Sequence, residues 1–387
     1  MKTMNRLLLA GAVALVAACK SPDSESSTPT PTTDLPVEDF GKLSDGRETK
    51  LYTLTNKNGM TAKVSDFGAT LVSLTVPDKE GNLADVTHGF DSVEGYLSEA
   101  NQYFGASVGR FGNRIAHGKF SLDGQDYTLA TNNEPGGIPC HLHGGDIGFN
   151  KRLWTLKDSS TPGSITLEYI SPVGEEGYPG TLTATVTYTL TDDNELKWEA
   201  SATTDAPTVL NLVHHSYWNL SGDPTTTIND HVLTLFADKY LPTDAGLIPT
   251  GELAPVAGTP MDFTEPRAIG ERVEADFEAL KLGGGYDHCW VLSNPDPGGL
   301  ARAAHLKDPE SGRVMEILTN QPAIQFYGGN FLKGDAGKGG VAYEFRSALC
   351  LETENFPDAP NHESFPSAVL RPGETYRHVM VHKFSAE

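Results

Sequence analysis

Basic residues are scarce. Against 51 acidic side chains the 387-residue chain sets only 29 lysines and arginines, leaving a formal charge of −22. A surface of that sign repels phosphate, which argues against a nucleic-acid partner and against adsorption to an anionic membrane through a basic patch. Cysteine is scarce too, with four in all. No CxxC pair occurs, so a cysteine-type zinc site has no support, and Cys140, Cys289 and Cys350 are expected to be buried free thiols. No apolar run approaches the ~20 residues that a membrane-spanning helix needs. Also missing are a repeat of 20–50 residues, a GxSxG elbow, a phosphate-binding loop, a dinucleotide fingerprint, an HExxH pair and a calcium loop. Those absences remove nucleotide chemistry and a covalent serine intermediate from consideration, and no cofactor is expected.

The longest apolar run, Leu7–Ala18, follows Lys2 and Arg6 and stops at Val16, Ala17, Ala18 and Cys19. A charged start, a short apolar core and small residues before a cut site describe a secretory signal peptide over 1–18. The terminal four residues resemble a bacterial lipoprotein cleavage box, which implies lipidation of Cys19 as the new N-terminus. Cleavage there removes Lys2 and Arg6 and no acid, so the mature chain is more acidic still. Acyl chains contributing about 0.8 kcal/mol per buried CH₂ would hold it at a membrane despite that charge. Residues 19–37 continue as a tether rich in Ser, Thr and Pro, with a composition that cannot bury a core and a reach on the order of 50 Å. The expected location is the cell envelope, as a periplasmic or outer-membrane lipoprotein; Lys20 after Cys19 favours the outer membrane. The catalytic domain is then 38–387.

Hydrophobic residues at 38% suffice for a large core, while 40 glycines and 25 prolines predict many turns. Residues 181–191 alternate completely: Leu182, Ala184, Val186, Tyr188 and Leu190 point one way and six threonines the other, a face expected to be solvated. Asp192–Asn194 reads as a turn, and Leu196, Trp198 and Ala200 resume the period of two, making a hairpin. Strand-like runs also cover 61–76 (broken at Gly68), 165–170, 231–236, 288–292 and 314–318. A helical spacing of about four occurs over 265–282, at Ile269, Val273, Phe277 and Leu280. The sum is an all-β chain, a sandwich or barrel of antiparallel strands in a single domain.

Four polar clusters interrupt the strands. In GRFGNRI (109–115), Arg114 has the fork geometry for vicinal hydroxyls or a carboxylate. In CHLHGG (140–145), His141 and His143 share a face if the segment is extended, which suits a metal ligand pair, an acid/base group or a structural histidine. In NLVHHSYWNL (211–220), His214 and His215 point to opposite faces, and Tyr217 joins His215. That face offers a titratable proton and a stacking platform. In LETENFPDAPN (351–361), Glu352 ends an apolar stretch, so desolvation should raise its pKa into the range of a general base. GTPMDF, with Asp262, and QPAIQFYGGN, with Gln325 and Asn330, lie between. A histidine and a glutamate amid Arg, Asp, Gln, Asn and aromatic groups suit a neutral, polyhydroxylated ligand.

Taken in order, GRFGNRI, LHGG, NLVHHSYWNL, GTPMDF, GYDHCWVL, QPAIQFYGGNFL and LETENFPDAPN resemble the aldose 1-epimerases, the galactose mutarotases, over about 45–384. The resemblance implies a β-supersandwich, no cofactor, no metal, and interconversion of the α and β anomers of free hexoses such as galactose and glucose. It implies His215 as general acid and Glu352 as general base. It places Asn113, Arg114, His143, Tyr217, Asp262 and Gln325 against the sugar, and leaves His141 and His214 structural. The acid/base pair is expected to stabilise its own charges, carboxylate beside imidazolium. A non-catalytic sugar-binding lipoprotein on the same scaffold is the alternative; an enzyme for phosphorylated sugars would need more basic residues near the pocket.

Overall fold

The computed structural model describes residues 35–293 and 299–387. The leader, Cys19 and nearly all of the tether lie outside the described residues. The first strand, Val37–Lys42, begins one residue inside the stretch read as tether. Among the described residues no helix is long and apolar enough to cross a membrane.

Three antiparallel sheets dominate. The first is a five-stranded meander running in chain order from Val37–Lys42 to Leu83–Asp85. The second has nine strands. The hairpin Leu182–Leu190 and Glu195–Thr204 lies near its middle, joined to the C-terminal strand Tyr376–Ala386 and through it to Arg313–Thr319. The third, of six strands, contains Tyr217–Trp218, Leu349–Glu354, Ala323–Tyr327 and Asp287–Val291 side by side. The main core is built from the inner faces of these sheets, with Leu74, Tyr188, Trp198, Ile317, Phe326 and Leu351 among its buried members. The architecture is a sandwich of antiparallel sheets with few helices.

The alternating segments behave as their period requires. Leu182–Leu190 alternates buried and half-buried residues without a break. The threonine face is half-covered rather than freely solvated, because Thr166 and Thr187 hydroxyls bond across to each other at 2.8 Å and Ser164 and Thr189 at 2.9 Å. Asn194 closes the hairpin at φ 61°, a left-handed conformation that asparagine tolerates well. The helical reading of 265–282 holds only at its end. Arg267–Ala268 is a short strand, Ile269–Glu271 one 3₁₀ turn, and the α-helix covers only Glu278–Gly283. Ile269, Val273 and Leu280 are buried as a helix face would bury them, but the intervening chain reaches the core as turns. Pro266 and Gly270 weaken a continuous helix there.

For function, the third sheet matters most. Its pairing sets Gln325 opposite Glu352 and Tyr327 opposite both Cys350 and Asp287. Directly paired residues share a face, so Asp287, Gln325, Tyr327, Cys350, Glu352 and Glu354 leave one side together. Leu349, Leu351 and Thr353 point the other way, into the core.

Candidate active site

The polar side of the third sheet floors an open cavity of about 420 Å³. Two short ladders wall it. Val213–His215 pairs with Ala106–Val108, and Arg114–Ala116 pairs with Cys140–Leu142. Asn113, Arg114, His143, His215, Tyr217, Gln325 and Glu352 all line this one cavity. Asp262 does not. Its carboxylate is capped by the Thr264 N–H at 3.1 Å and the Thr264 hydroxyl at 2.6 Å, in a turn away from the cavity. The assignment of Asp262 to the sugar is therefore corrected. The aspartate at the cavity is Asp287, at the start of its strand within GYDHCWVL. The signal was present, since that motif carried an acid directly before a strand-like run. The sequence alone does not say which of two aspartates the folded sheet brings to the floor. Tyr103, Tyr327 and Phe331 also line the cavity and were not anticipated. Phe331 is 52% exposed at its rim.

The other polar residues have structural work. Arg110 is buried and donates to Ser171 and to the carbonyls of Pro172 and Pro179. The Asn330 amide donates to the carbonyls of Gly283 and Tyr286. His214 turns away from His215, as alternation demands, and stacks on Trp198 in the core at 5.7 Å. Cys140, Cys289 and Cys350 are free, buried thiols.

His141 and His143 do not share a ligand. The strand ends at Leu142, and His143 turns to φ 49°. His141 is spoken for by the Ala130 carbonyl and the Tyr178 hydroxyl, at 2.8 and 2.7 Å. A different trio, His143, His215 and Glu352, does converge, with one ligand atom from each within 4.8 Å of the others. The His143 tautomer argues against a metal there. The backbone N–H of Asn113 donates to His143 Nδ1 at 3.1 Å, so Nε2 must carry the ring proton. That nitrogen is a hydrogen-bond donor with no lone pair to give a cation.

This local geometry has an identifiable cause. Asn113 sits at φ 63°, which an asparagine adopts more readily than most side chains. The turn lets it do four things. Its N–H holds His143 Nδ1, its carbonyl accepts from the His143 N–H at 3.0 Å, its Oδ1 accepts from the Arg114 N–H at 2.9 Å, and its Nδ2 donates to Glu354 at 2.9 Å. Across the floor, Gln325 Nε2 donates to Asp287 Oδ1 at 2.7 Å, and the Arg114 guanidinium stands 3.8 Å from Asp287 Oδ2. Tyr217 and Tyr103 both stack on His215, with ring centres 5.3 and 5.6 Å away, and Tyr103 also lies tilted against His143 at 4.6 Å.

His215 Nε2 lies 3.6 Å from Glu352 Oε2. Burial works against the expected charge-paired resting state. Burial pulls His215 down to about 4. Burial, then the neighbouring Glu354 and Asp287, push Glu352 well above the carboxylate range, with Arg114 opposing. Desolvation thus pushes both members of the pair toward their uncharged forms, carboxylic acid and neutral imidazole. That state differs from carboxylate and imidazolium only by one proton moved across the 3.6 Å gap. Glu352 Oε2 has no hydrogen-bond partner among the described residues, which leaves it for a ligand hydroxyl.

Burial on this scale makes stability pH-dependent. Nine histidines are held below their ordinary value. Four carboxyls, Asp66, Glu352, Glu354 and Asp358, are held above theirs. As pH falls below about 6.5 the unfolded histidines take up protons that the folded ones refuse, and stability drops by up to about 1.4 kcal/mol per pH unit for each. The four carboxyls act oppositely, since their folded forms hold protons that the unfolded chain releases above about 4.5. Nine against four, the histidines win below 6.5; above it the carboxyls act alone, and stability declines toward pH 8. Urea midpoints measured from pH 4.5 to 8.5 should therefore peak near 6.5. A flat profile, or one rising toward pH 8, would contradict this.

Comparison with known proteins identifies the family. A sequence profile of the family described as aldose 1-epimerase matches residues 50–383. The galactose mutarotase of Homo sapiens is 44% identical over 347 residues, covering 89% of this chain and 97% of that protein. The aldose 1-epimerase of Escherichia coli is 38% identical over 345 residues, with the same coverage of each. Among solved structures, an aldose epimerase homologue from C. elegans superposes with TM-score 0.77 at 33% identity, covering 87% of this chain and 99% of the other. Galactose 1-epimerase from Lactobacillus acidophilus does so with TM-score 0.78 at 27% identity, covering 92% and 99%. The chain belongs to the aldose 1-epimerase family: it is an isomerase, a mutarotase.

Proposed function

We propose that this site interconverts the α and β anomers of free aldohexoses such as galactose and glucose, with Glu352 as base and His215 as acid. The observation that carries the assignment is the facing pair itself: an unpartnered Glu352 oxygen 3.6 Å from His215 Nε2, both buried on the wall of an otherwise hydroxyl-binding cavity. A cyclic aldose is a hemiacetal. When its hydroxyls reach the floor, they give Glu352 the hydrogen bonds that burial denies it, and the proton moves to His215. Glu352 then takes the proton of the C1 hydroxyl while His215 protonates the ring oxygen. The C1–O5 bond opens to the aldehyde, the C1–C2 bond rotates, and the ring closes from the other face with the roles exchanged. Each proton is returned, so the cycle consumes nothing. His143, with Nε2–H aimed at the cavity, donates to the developing charge near the anomeric end. Asp287 and Gln325 hold ring hydroxyls, and Asn113 and Arg114 complete the frame.

Among the described residues Arg114 is the only lysine or arginine lining the cavity, and it stands beside Asp287. A phosphorylated sugar would have no cation to itself, so free sugars fit better. The test is the optical rotation of freshly dissolved α-D-galactose and α-D-glucose with and without the full-length protein. Decay faster than the uncatalysed rate to the same final rotation is expected. Saturable sugar binding with no acceleration would instead describe a sugar-binding protein on the same scaffold.

The N-terminal residues support an address as well. Lys2, Arg6, the run Leu7–Ala18 and Cys19 suit export and lipidation, which supports a location at the cell envelope on a lipid anchor. In a Gram-negative host, Cys19→Ala should shift the protein from the membrane to the soluble fraction. Equal membrane recovery of both forms would refute the anchor.

A further inference from the structure

Glu354 is the one buried carboxyl at this site to which the mechanism gives no task. It lies two residues beyond Glu352 on Leu349–Glu354, so both carboxyls leave the same face of the strand. It is fully buried, at 0% exposure. A buried carboxyl is unfavourable unless its neighbours use it. Its Oε1 accepts from Asn113 Nδ2 at 2.9 Å, and the Asn211 amide also favours its charged form. Its Oε2 has no hydrogen-bond partner among the described residues. The titratable groups around it are Glu352 on its own strand, Asp287 and Cys289 from the neighbouring part of the sheet, Arg114 from the cavity wall and Tyr376 from the C-terminal strand. Arg114 alone is positive.

We propose that Glu354 is a positioning residue for mutarotation: it holds Asn113, and through Asn113 the donor tautomer of His143, and from the same strand face it couples its own ionisation to that of Glu352. This rests on the reading of Glu352 as the general base. The mechanical half follows from Asn113. A carboxyl oxygen that accepts from Nδ2 fixes which way that amide points, and so keeps Oδ1 on the Arg114 N–H and the backbone N–H on His143 Nδ1. The electrostatic half follows from spacing. Two carboxyls at alternate positions of one strand, in a buried site, are close enough to separate their titrations by more than a pH unit. Glu354 accepts from the Asn113 amide, whereas no hydrogen bond to the Glu352 Oε2 is found among the described residues, so Glu354 is the better placed of the two to ionise first. Burial holds Glu354 at about 8, and its charge is the next largest cause, after burial, of the upward push on Glu352. Without it, Glu352 would be a weaker base, ionised at lower pH.

Glu354→Gln tests this, because it keeps an oxygen for Asn113 and loses only the charge. The acid limb of kcat/KM for galactose mutarotation should move down by about one pH unit. The plateau kcat should fall by roughly three- to tenfold, as a weaker base transfers protons less effectively. Glu354→Ala removes the acceptor as well and should raise KM by about a further tenfold. A Glu354→Gln profile that superimposes on wild type overturns the proposal, because a purely structural role would leave the limb in place. A second readout is independent of turnover: ¹³C NMR titration of the Glu352 carboxyl, assigned by its loss in Glu352→Gln. Its midpoint should fall in Glu354→Gln even if the protein proves inactive, a result that would fault the mutarotase reading and leave the coupling standing. An unchanged midpoint sinks the coupling whatever the activity.

Discussion

Glu352→Gln is expected to lower kcat for mutarotation by roughly 10²–10⁴-fold, the usual contribution of one positioned proton transfer. The amide has nearly the shape of the acid but cannot receive a proton from the C1 hydroxyl. KM should change little, since Gln still offers an oxygen and an N–H to sugar hydroxyls. A fall confined to kcat is the signature of an interaction made in the transition state. The same substitution removes an uncompensated buried acid, so the folded protein should be no less stable at pH 8. Polarimetry on wild type and variant gives the rates, and urea unfolding gives the stability. Acceleration that survives the change would move the base to one of the other carboxyls lining the cavity, Asp287 or Glu134.

Asp287→Ala should reduce kcat/KM by on the order of 10²-fold, while Asp262→Ala leaves it within error. Asp287 is buried, accepts from Gln325 Nε2 at 2.7 Å and faces Arg114 at 3.8 Å. Hydrogen bonds to a charged group contribute about 1.5–3 kcal/mol each, and Asp287 offers them to the substrate as well as to the floor. Truncation also leaves the Arg114 guanidinium, itself 8% exposed, without its counter-charge. The loss should therefore appear in KM as well as kcat. Asp262 has its carboxylate tied up by Thr264 in a turn and is not among the described residues that line the cavity. The opposite ranking of the two variants, read from the same rotation assay, would restore Asp262 to the site.

These two acids illustrate how much the linear chain discloses. GTPMDF and GYDHCWVL each carry an aspartate beside apolar residues, and local pattern does not distinguish them. Only the third sheet does, by pairing Asp287 with Tyr327 one step from the Gln325–Glu352 pair. His141 and His143 pose the same problem. The reading of a shared face assumed an extended chain, and a single left-handed residue at His143 separates their roles. The stretch 265–282 failed for a related reason. Its apolar residues are spaced as on a helix because they meet a core, and turns and a 3₁₀ segment satisfy that demand as well as a helix would.

The sequence by itself determined what depends on neighbours in the chain. Alternation of period two set the strands, the hairpin at Asp192–Asn194, and the opposite placements of His214 and His215, because a strand turns each successive side chain to the other face. The order of motifs determined the family and marked Glu352 and His215. Tertiary structure decided what depends on water and on distant partners. It chose Asp287 over Asp262. It brought Glu354 under Asn113, and through Asn113 fixed the proton of His143 on Nε2. It also buried the acid/base pair, so that desolvation pushes His215 down and Glu352 up against the attraction across 3.6 Å. Desolvation belongs to a packed cavity, and no spacing of residues along a chain contains it.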